Sequence, residues 1–380
     1  MVTIAVTAEA SDEPRVAISP ETVKKLVALG ATVRVQSGAG LRSRFSDEAL
    51  AAAGAEIAPT AVAALAGADI LLKVRRPSGD EIKAMKPGGI VAAMIDPYGD
   101  RAALDEMAKT GASVFSMEFM PRITRAQSMD VLSSQANLAG YRAVVDGAAM
   151  FGQAMPMMMT AAGTVPAARV FVMGAGVAGL QAIATARRLG AVVTATDVRP
   201  AAKEQVASLG AKFVAVEDDE FKQAQTAAGY AKPMSPEYQK KQGELVATHI
   251  KGQDIVITTA LIPGRPAPRL VTRDMVMSMK PGSVIIDLAA ERGGNCELTE
   301  PGKLVDINGV KISGKLNVAG DVAVNASSLY AKNLYAFLEL FFDKKDKSMK
   351  INWDDEIIKG TLVARDGALV HPSLVQKPAA

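Results

Sequence analysis

Arg169-Val170-Phe171-Val172-Met173-Gly174-Ala175-Gly176-Val177-Ala178-Gly179 decides the fold reading. A buried-strand run leads directly into G-x-G-x-x-G, and an apolar-periodic helix follows to Leu189. Gly174 permits the tight turn, Gly176 lets the backbone approach a pyrophosphate, and Gly179 allows close packing of helix on strand. The helix N-terminus, with Ala175 and Val177 flanking Gly176, offers backbone N–H groups and a partial positive charge to phosphates. The next strand, Val192–Thr196, ends at Asp197, eighteen residues after Gly179. A carboxylate there accepts hydrogen bonds from an adenosine ribose and repels a 2′-phosphate, which favours NAD over NADP. Val198 and Arg199 follow; an arginine so close is the type that holds a 2′-phosphate, but the strand-end acid dominates. The pattern therefore predicts a dinucleotide site built from Gly174, Ala175, Gly176, Val177, Gly179, Asp197, Val198 and Arg199. Gly38-Ala39-Gly40, earlier in the chain, has no third glycine in register, so one cofactor site per chain is expected.

Strand and helix patterns alternate outward from this motif in both directions. Towards the C-terminus lie a helix over 201–209 and strands over 213–216, 254–258 and 284–288. Towards the N-terminus the strands are 3–6, 32–36, 70–74, 90–95 and 113–115, with helices over 21–29, 47–53 and 101–109. A long small-residue helix over 133–150 connects the two blocks, and an apolar helix over 322–341 returns to the first. The tail carries a hairpin with Asp366-Gly367 at its turn. The expectation is an α/β protein of two Rossmann-like, doubly wound parallel-sheet domains separated by a cleft. The first comprises 1–135 with 325–380, and the second, the dinucleotide domain, 136–324. Residues 221–242, with Gly229, Pro233, Pro236 and several aromatic rings, replace a short connection and read as a mobile loop.

Composition agrees. At about 150 residues per domain, 380 residues make two domains, and 49% hydrophobic with 22% charged residues suits a folded chain. The net charge of +3 comes without any block of like charge, which argues against nucleic acid as a partner. One cysteine, Cys296, and two distant histidines, His249 and His371, provide no ligand spacing, so no metal site is expected. The start of the chain, Met1-Val2-Thr3-Ile4-Ala5-Val6, reads as a strand and not a secretory signal, and a reducing cytosol fits. The uncharged stretch between Asp146 and Arg169 contains Pro156, Pro166 and polar residues, so it reads as a buried helix end followed by a loop, with no direct membrane insertion. Met157–159 alone read as core packing, since methionine fills irregular gaps.

An NAD enzyme acting on an alcohol or amino acid moves a proton as well as a hydride. Neither histidine looks placed for that. The polar group that stands out is Pro121-Arg122-Ile123-Thr124-Arg125-Ala126-Gln127-Ser128-Met129-Asp130, followed by Ser133, just before the connector helix and hence near the expected cleft. Asp130 or Ser133 suits a helix cap. Capping accounts for one of them and leaves the density of the cluster to a cofactor role.

With these residues in hand, the sequence resembles the NAD(H)-binding alpha-subunit component of proton-translocating NAD(P) transhydrogenases, a family related to alanine dehydrogenase. The resemblance runs over nearly the whole chain: 15–20, 122–135, 137–144, 156–164, the glycine turn, Gly229-Tyr230-Ala231-Lys232 and Thr258-Thr259-Ala260-Leu261-Ile262-Pro263-Gly264. It implies a homodimer that binds NAD(H) and docks on separate NADP(H)-binding and membrane-spanning subunits. That places it in the cytoplasm, peripheral on the cytoplasmic face of the inner membrane. It implies that Arg122, Gln127, Asp130 and Ser133 carry the catalytic role by positioning the nicotinamide. Ile123, Thr124, Gln242 and Leu261 add cofactor contacts, and Gly229 and Tyr230 lie on a loop that closes over the nucleotide. Hydride then passes directly between two nicotinamides, and no proton-transfer group is needed.

The rival is an alanine-dehydrogenase-like enzyme. Arg15 and Lys73 match positions that hold the substrate in that branch, but its histidine is absent and Asp96-Pro97 occupies the region. Asp96 is a proton acceptor in principle, yet its charge opposes an anionic 2-oxo acid. Thr7-Ala8-Glu9 departs from the transhydrogenase pattern, which usually has a lysine before the acid. A third reading is a non-catalytic NAD-sensing docking module.

Overall fold

The computed structural model describes residues 2–224, 234–343 and 345–375. The chain divides into two compact units, residues 1–135 with 319–380 and residues 136–318. In chain order the first unit's strands are β1 (Val2–Val6), β2 (Ala31–Gln36), β3 (Glu56–Ala58), β4 (Ile70–Leu72), β5 (Ile90–Ala93) and β6 (Ser113–Ser116). The second unit has a small hairpin, β7 (Met158–Thr160) and β8 (Gly163–Val165), then β9 (Arg169–Met173), β10 (Val192–Thr196) and β11 (Lys212–Phe213). It continues with β12 (Ile255–Thr258), β13 (Val284–Asp287), β14 (Leu304–Ile307) and β15 (Val310–Ser313). The first unit resumes with a two-stranded ribbon, β16 (Phe342–Asp343) and β17 (Ser348–Met349), and ends with the hairpin β18 (Leu362–Arg365) and β19 (Ala368–Leu369).

Both large sheets are doubly wound. The first runs β19-β18-β6-β5-β4-β1-β2-β3, parallel from β3 to β6, with the tail hairpin added antiparallel. The second runs β11-β10-β9-β12-β13-β15-β14, parallel except for the edge strand β14. Each order reverses beside its first strand, at β1/β4 and β9/β12, which are the switch points where ligands settle in open α/β sheets. Central strands are apolar and buried throughout, as sheets covered on both faces require. The α/β fold with two Rossmann-like parallel sheets is as the sequence indicated.

Several elements differ from the sequence reading. The connector helix is Val131–Phe151, beginning before Ser133 because Asp130 caps it. The 221–242 loop is shorter than expected at both ends: Asp219–Lys222 is helical, and Pro236–Ile250 is a full helix containing Gln242. Ser235 caps that helix by accepting from the Tyr238 N–H, and Pro236 occupies its first turn, a start signal stronger than the loop-like composition. Gly229 and Tyr230 lie outside the described residues. Met157–Met159 are not core: Met157 is 62% and Met159 79% exposed, at and beside strand β7. The tail turn is as expected, with Asp366 and Gly367 both at positive φ, the geometry a two-residue hairpin needs.

The connector packs through its small residues. A Cβ on Gly140 would lie 2.1 Å from the Ala178 carbonyl oxygen, in the first turn of the helix after the glycine motif. Gly140→Ala improves helix propensity by about 1 kcal/mol, but the added methyl meets backbone. We expect a net loss of about 2 kcal/mol or more, measured as a lower midpoint in urea unfolding.

Candidate active site

The glycine motif closes the β9 end as the residue types dictate. Gly174 has φ +104, and a Cβ there would meet the Thr259 Oγ1 at 2.5 Å. On Gly179 it would lie 1.8 Å from the Gly174 carbonyl oxygen. At Gly176 it would meet nothing within 4 Å, so this glycine faces open space. Gly176 is also the N-cap of the helix Val177–Arg188, which no side chain caps. The turn thus has two glycines that serve packing and one that leaves a helix N-terminus open to an anion.

Asp197 extends from the end of β10 to this turn. Its Oδ2 accepts the Ala175 N–H at 2.8 Å, and its Oδ1 accepts the Arg199 N–H at 2.8 Å. The Arg199 guanidinium grips both oxygens, at 2.9 and 3.0 Å. Arg199 is therefore committed to Asp197, whose charge is partly neutralised. Gln242 donates to Thr196 Oγ1 and accepts the Val216 N–H, bracing the same strand end. Beyond β12, the Thr259 hydroxyl donates to the Gly174 carbonyl, and buried Asn295 holds both the N–H and the carbonyl of Ala260. Leu261 and Ile262 follow, exposed. Val198 is exposed beside Asp197. Sequence reasoning missed Asn295, whose role depends on pairing with a distant loop.

The polar cluster forms a short 3-10 helix, Thr124–Met129, in the first unit. Ala126 and Met129 anchor it in the core, and Ile123 packs against that core, while Arg122, Thr124 and Gln127 are exposed. Arg125 pairs with Asp355 at 2.7 Å. Asp130 accepts from the Ser133 N–H at 2.9 Å and from the Ser133 hydroxyl at 2.6 Å. Capping thus engages Asp130 and Ser133 together, not one of them. The cluster brings Arg122, Gln127, Asp130 and Ser133 onto one loop and helix start.

The first sheet's switch point is filled differently. Lys73, at the end of β4, is buried and its Nζ lies 3.5 Å from Glu9 and 3.2 Å from Glu81. Arg15, 3% exposed, is forked on Glu13 at 2.7 Å through both Nε and Nη2 and reaches Gln135 at 2.8 Å. Burial would raise the Glu13 carboxyl, but the Arg15 and Arg75 guanidiniums outweigh it and hold it at about 2. Both cations that the rival reading would offer to a substrate are already paired within the protein.

The histidines are structural. His249 hydrogen-bonds Thr194 Oγ1 at 2.9 Å and packs on the Phe171 edge; His371 stacks on Phe119 and bonds the Gly360 carbonyl. Burial lowers the pKa of each, so both are neutral near pH 7. Cys296 is buried, and burial pushes its thiol up. Among the described residues no cluster of His, Cys, Asp and Glu suits a metal ion.

Residues 5–139 match the alanine dehydrogenase/PNT N-terminal domain, and residues 143–372 the alanine dehydrogenase/PNT C-terminal domain. Over 367 residues the chain is 58% identical to an NAD(P) transhydrogenase alpha-subunit component of Rhodospirillum rubrum, covering 95% of this chain and 96% of that one. The chain belongs to the NAD(P) transhydrogenase alpha-subunit family. The crystal structure of transhydrogenase from Sinorhizobium meliloti matches with a TM-score of 0.88 and 59% identity, over 97% of this chain and all of that one. Alanine dehydrogenase of Methanococcus maripaludis is a more distant relative, 32% identical over 76% of this chain and 71% of its own length. The alpha-subunit family is the one that the sequence resemblance indicated.

Gly179→Ala should lose several kcal/mol of stability, whereas Gly176→Ala, whose methyl meets open space, should unfold within a few tenths of a kcal/mol of the parent; equal losses in thermal melts would contradict the assignment of packing and open positions. Glu13→Gln removes the counter-charge from buried Arg15 and should cost about 3 kcal/mol at pH 7. A carboxyl held low contributes stability above its ordinary value of 4.5 and loses it as pH falls towards about 2. The gap between parent and variant in denaturant titrations should therefore narrow below pH 4.5.

Proposed function

We propose that this chain is the NAD(H)-binding component of a proton-translocating NAD(P) transhydrogenase, passing hydride directly between NAD(H) held here and NADP(H) held by a separate partner component. The observation that carries the reading is the glycine turn, with its open Gly176 and uncapped helix N-terminus beside the Asp197 carboxylate. Gly174, Ala175, Gly176, Val177 and Gly179 receive the pyrophosphate. Asp197, with Val198 and Arg199, faces the adenosine ribose. That Arg199 is bound through both guanidinium contacts to Asp197 favours NAD over NADP, because no cation is left over for a 2′-phosphate at that side chain.

Arg122, Gln127, Asp130 and Ser133 position the nicotinamide, with Ile123 and Thr124 contributing beside them. Gln242 and Leu261 add contacts on the second unit, and Gly229 and Tyr230 close over the nucleotide. When bound, the dihydronicotinamide supplies the hydride. The protein's part is to hold the ring in place; no side chain has to move a proton at the reacting carbon. Two neutral, structurally engaged histidines suit that chemistry. The pairing of Arg15 and Lys73 with internal carboxylates disfavours an amino-acid dehydrogenase.

The chain works as a homodimer; the exposed methionines at and beside β7 form an apolar projection of the kind that subunit contacts cover. Its other partners are the NADP(H)-binding and membrane-spanning subunits, through which it is peripheral on the cytoplasmic face of the inner membrane. Among the described residues no helix is long and apolar enough to cross a membrane.

The test mixes the purified chain with a separately made NADP(H)-binding transhydrogenase component, NADPH and an NAD analogue whose reduced form absorbs distinctly. Rapid reduction should require both proteins and fall at least tenfold in Gln127→Ala and Asp130→Ala. Gly176→Ala should weaken NADH binding about tenfold or more. NADH binding without any transfer would instead favour a sensing module, and reductive amination of pyruvate would favour the dehydrogenase.

A further inference from the structure

The helix Ala323–Leu338 buries Tyr330, Leu334, Phe337 and Leu338 in the first unit's core. Among these apolar side chains sits Asn333, 7% exposed. A buried carboxamide must find partners for both ends. Asn333 Nδ2 donates to the Ser128 carbonyl at 2.7 Å, and its Oδ1 accepts from the Ser134 hydroxyl at 2.7 Å. Ser128 follows Gln127, and Ser134 follows Ser133. One planar side chain therefore fixes the end of the 3-10 helix against the first turn of the connector, with Asp130 between them.

The network continues inward. Gln135 Nε2 donates to the Ser134 hydroxyl at 3.3 Å and to the Ala326 carbonyl at 3.1 Å, and its Oε1 accepts from Arg15. Arg15 is in turn fixed by Glu13. We propose that Asn333 is a positioning residue for hydride transfer: it holds the 122–133 loop, and through it the nicotinamide, at the end of a hydrogen-bonded chain that starts at buried Glu13, Arg15 and Gln135 and runs through Ser134 and Asn333 to Ser128. This inference rests on the function proposed above. The buried Arg15 thus acts as the fixed end of a support for the loop instead of as a substrate ligand.

ADP-ribose, which shares the adenosine and pyrophosphate of NADH but has no nicotinamide, provides the discriminating probe. In Asn333→Ala, hydride transfer with the NADP(H)-binding component should fall about tenfold or more, and NADH should bind about fivefold weaker, while ADP-ribose binding stays within twofold. In Asn333→Asp the carboxylate faces the Ser128 carbonyl and transfer is lost at neutral pH. As pH falls the protonated carboxyl donates to that carbonyl, so transfer recovers along a limb that the parent lacks. A merely structural asparagine would lower NADH and ADP-ribose affinity together and give no such limb, and that result overturns the proposal. So does an unchanged transfer rate in a folded Asn333→Ala. If Asn333→Ala does not fold, Asn333→Asp and Ser134→Ala carry the same comparison. A parent chain that prefers NADH to ADP-ribose but transfers no hydride defeats the transhydrogenase reading only, and the binding ratio in the variants still decides the role of Asn333. A parent that binds neither defeats both.

Discussion

The Gly174 carbonyl occupies the space where any side chain on Gly179 would begin, 1.8 Å from an added Cβ. Because that approach is possible, the helix Val177–Arg188 starts after a turn of only three residues from the end of β9, and no side chain caps its first N–H groups. The same carbonyl takes the Thr259 hydroxyl from the β12 side, so the turn is held from both strands that flank the switch point. Asp197 holds it from the β10 side through the Ala175 N–H. Gly140 then lets the connector helix approach Ala178, one residue before Gly179. Three absences of side-chain bulk, at Gly140, Gly174 and Gly179, thus set the spacing of these segments, and the richness of this chain in small residues reads as the condition for that packing.

This explains what was legible in the sequence. Glycine requirements are local and steric, so the turn, its strand and its helix could be read from eleven consecutive residues. Asp366-Gly367 was legible for the same reason. Asn308-Gly309 carries the same signal between β14 and β15, but the parallel pattern of the preceding strands masks an antiparallel edge. Over 236–242 the composition misleads, since a serine followed by proline starts a helix whatever the lysines around it suggest. The exposed methionines show the limit of composition: flexible apolar residues suit a core and an exposed hairpin equally well, and only the pairing of β7 with β8 separates the two.

The polar loop shows a different limit. Its residues stood out as a cluster, but the asparagine that braces it lies about two hundred positions away on a helix that reads as mainly apolar. Hydrophobic periodicity records which face of a helix is buried and is silent about which polar atom that face satisfies. An asparagine beside Tyr330 and Leu334 was the available signal, and it has meaning only once its partners are known.

The two sheets share the order of their five central strands, so topology does not explain why their switch points carry such different groups. The difference lies in charge. At the β9/β12 switch point a helix begins with backbone N–H groups that no side chain caps, and the Asp197 carboxylate beside it is covered by Arg199. At the β1/β4 switch point Lys73 is enclosed by Glu9 and Glu81, with Glu13 on Arg15 close by in sequence. Burial raises the Glu9 carboxyl even against Lys73, and Arg75 adds a third cation, on Glu13, so the charges of this cluster are already matched to one another. A pyrophosphate placed there would add two more negative charges beside carboxylates whose cationic partners are already engaged. In the second unit the same anion meets unsatisfied N–H groups. The same five-strand arrangement therefore ends in ion pairs in one unit and in a glycine facing open space in the other.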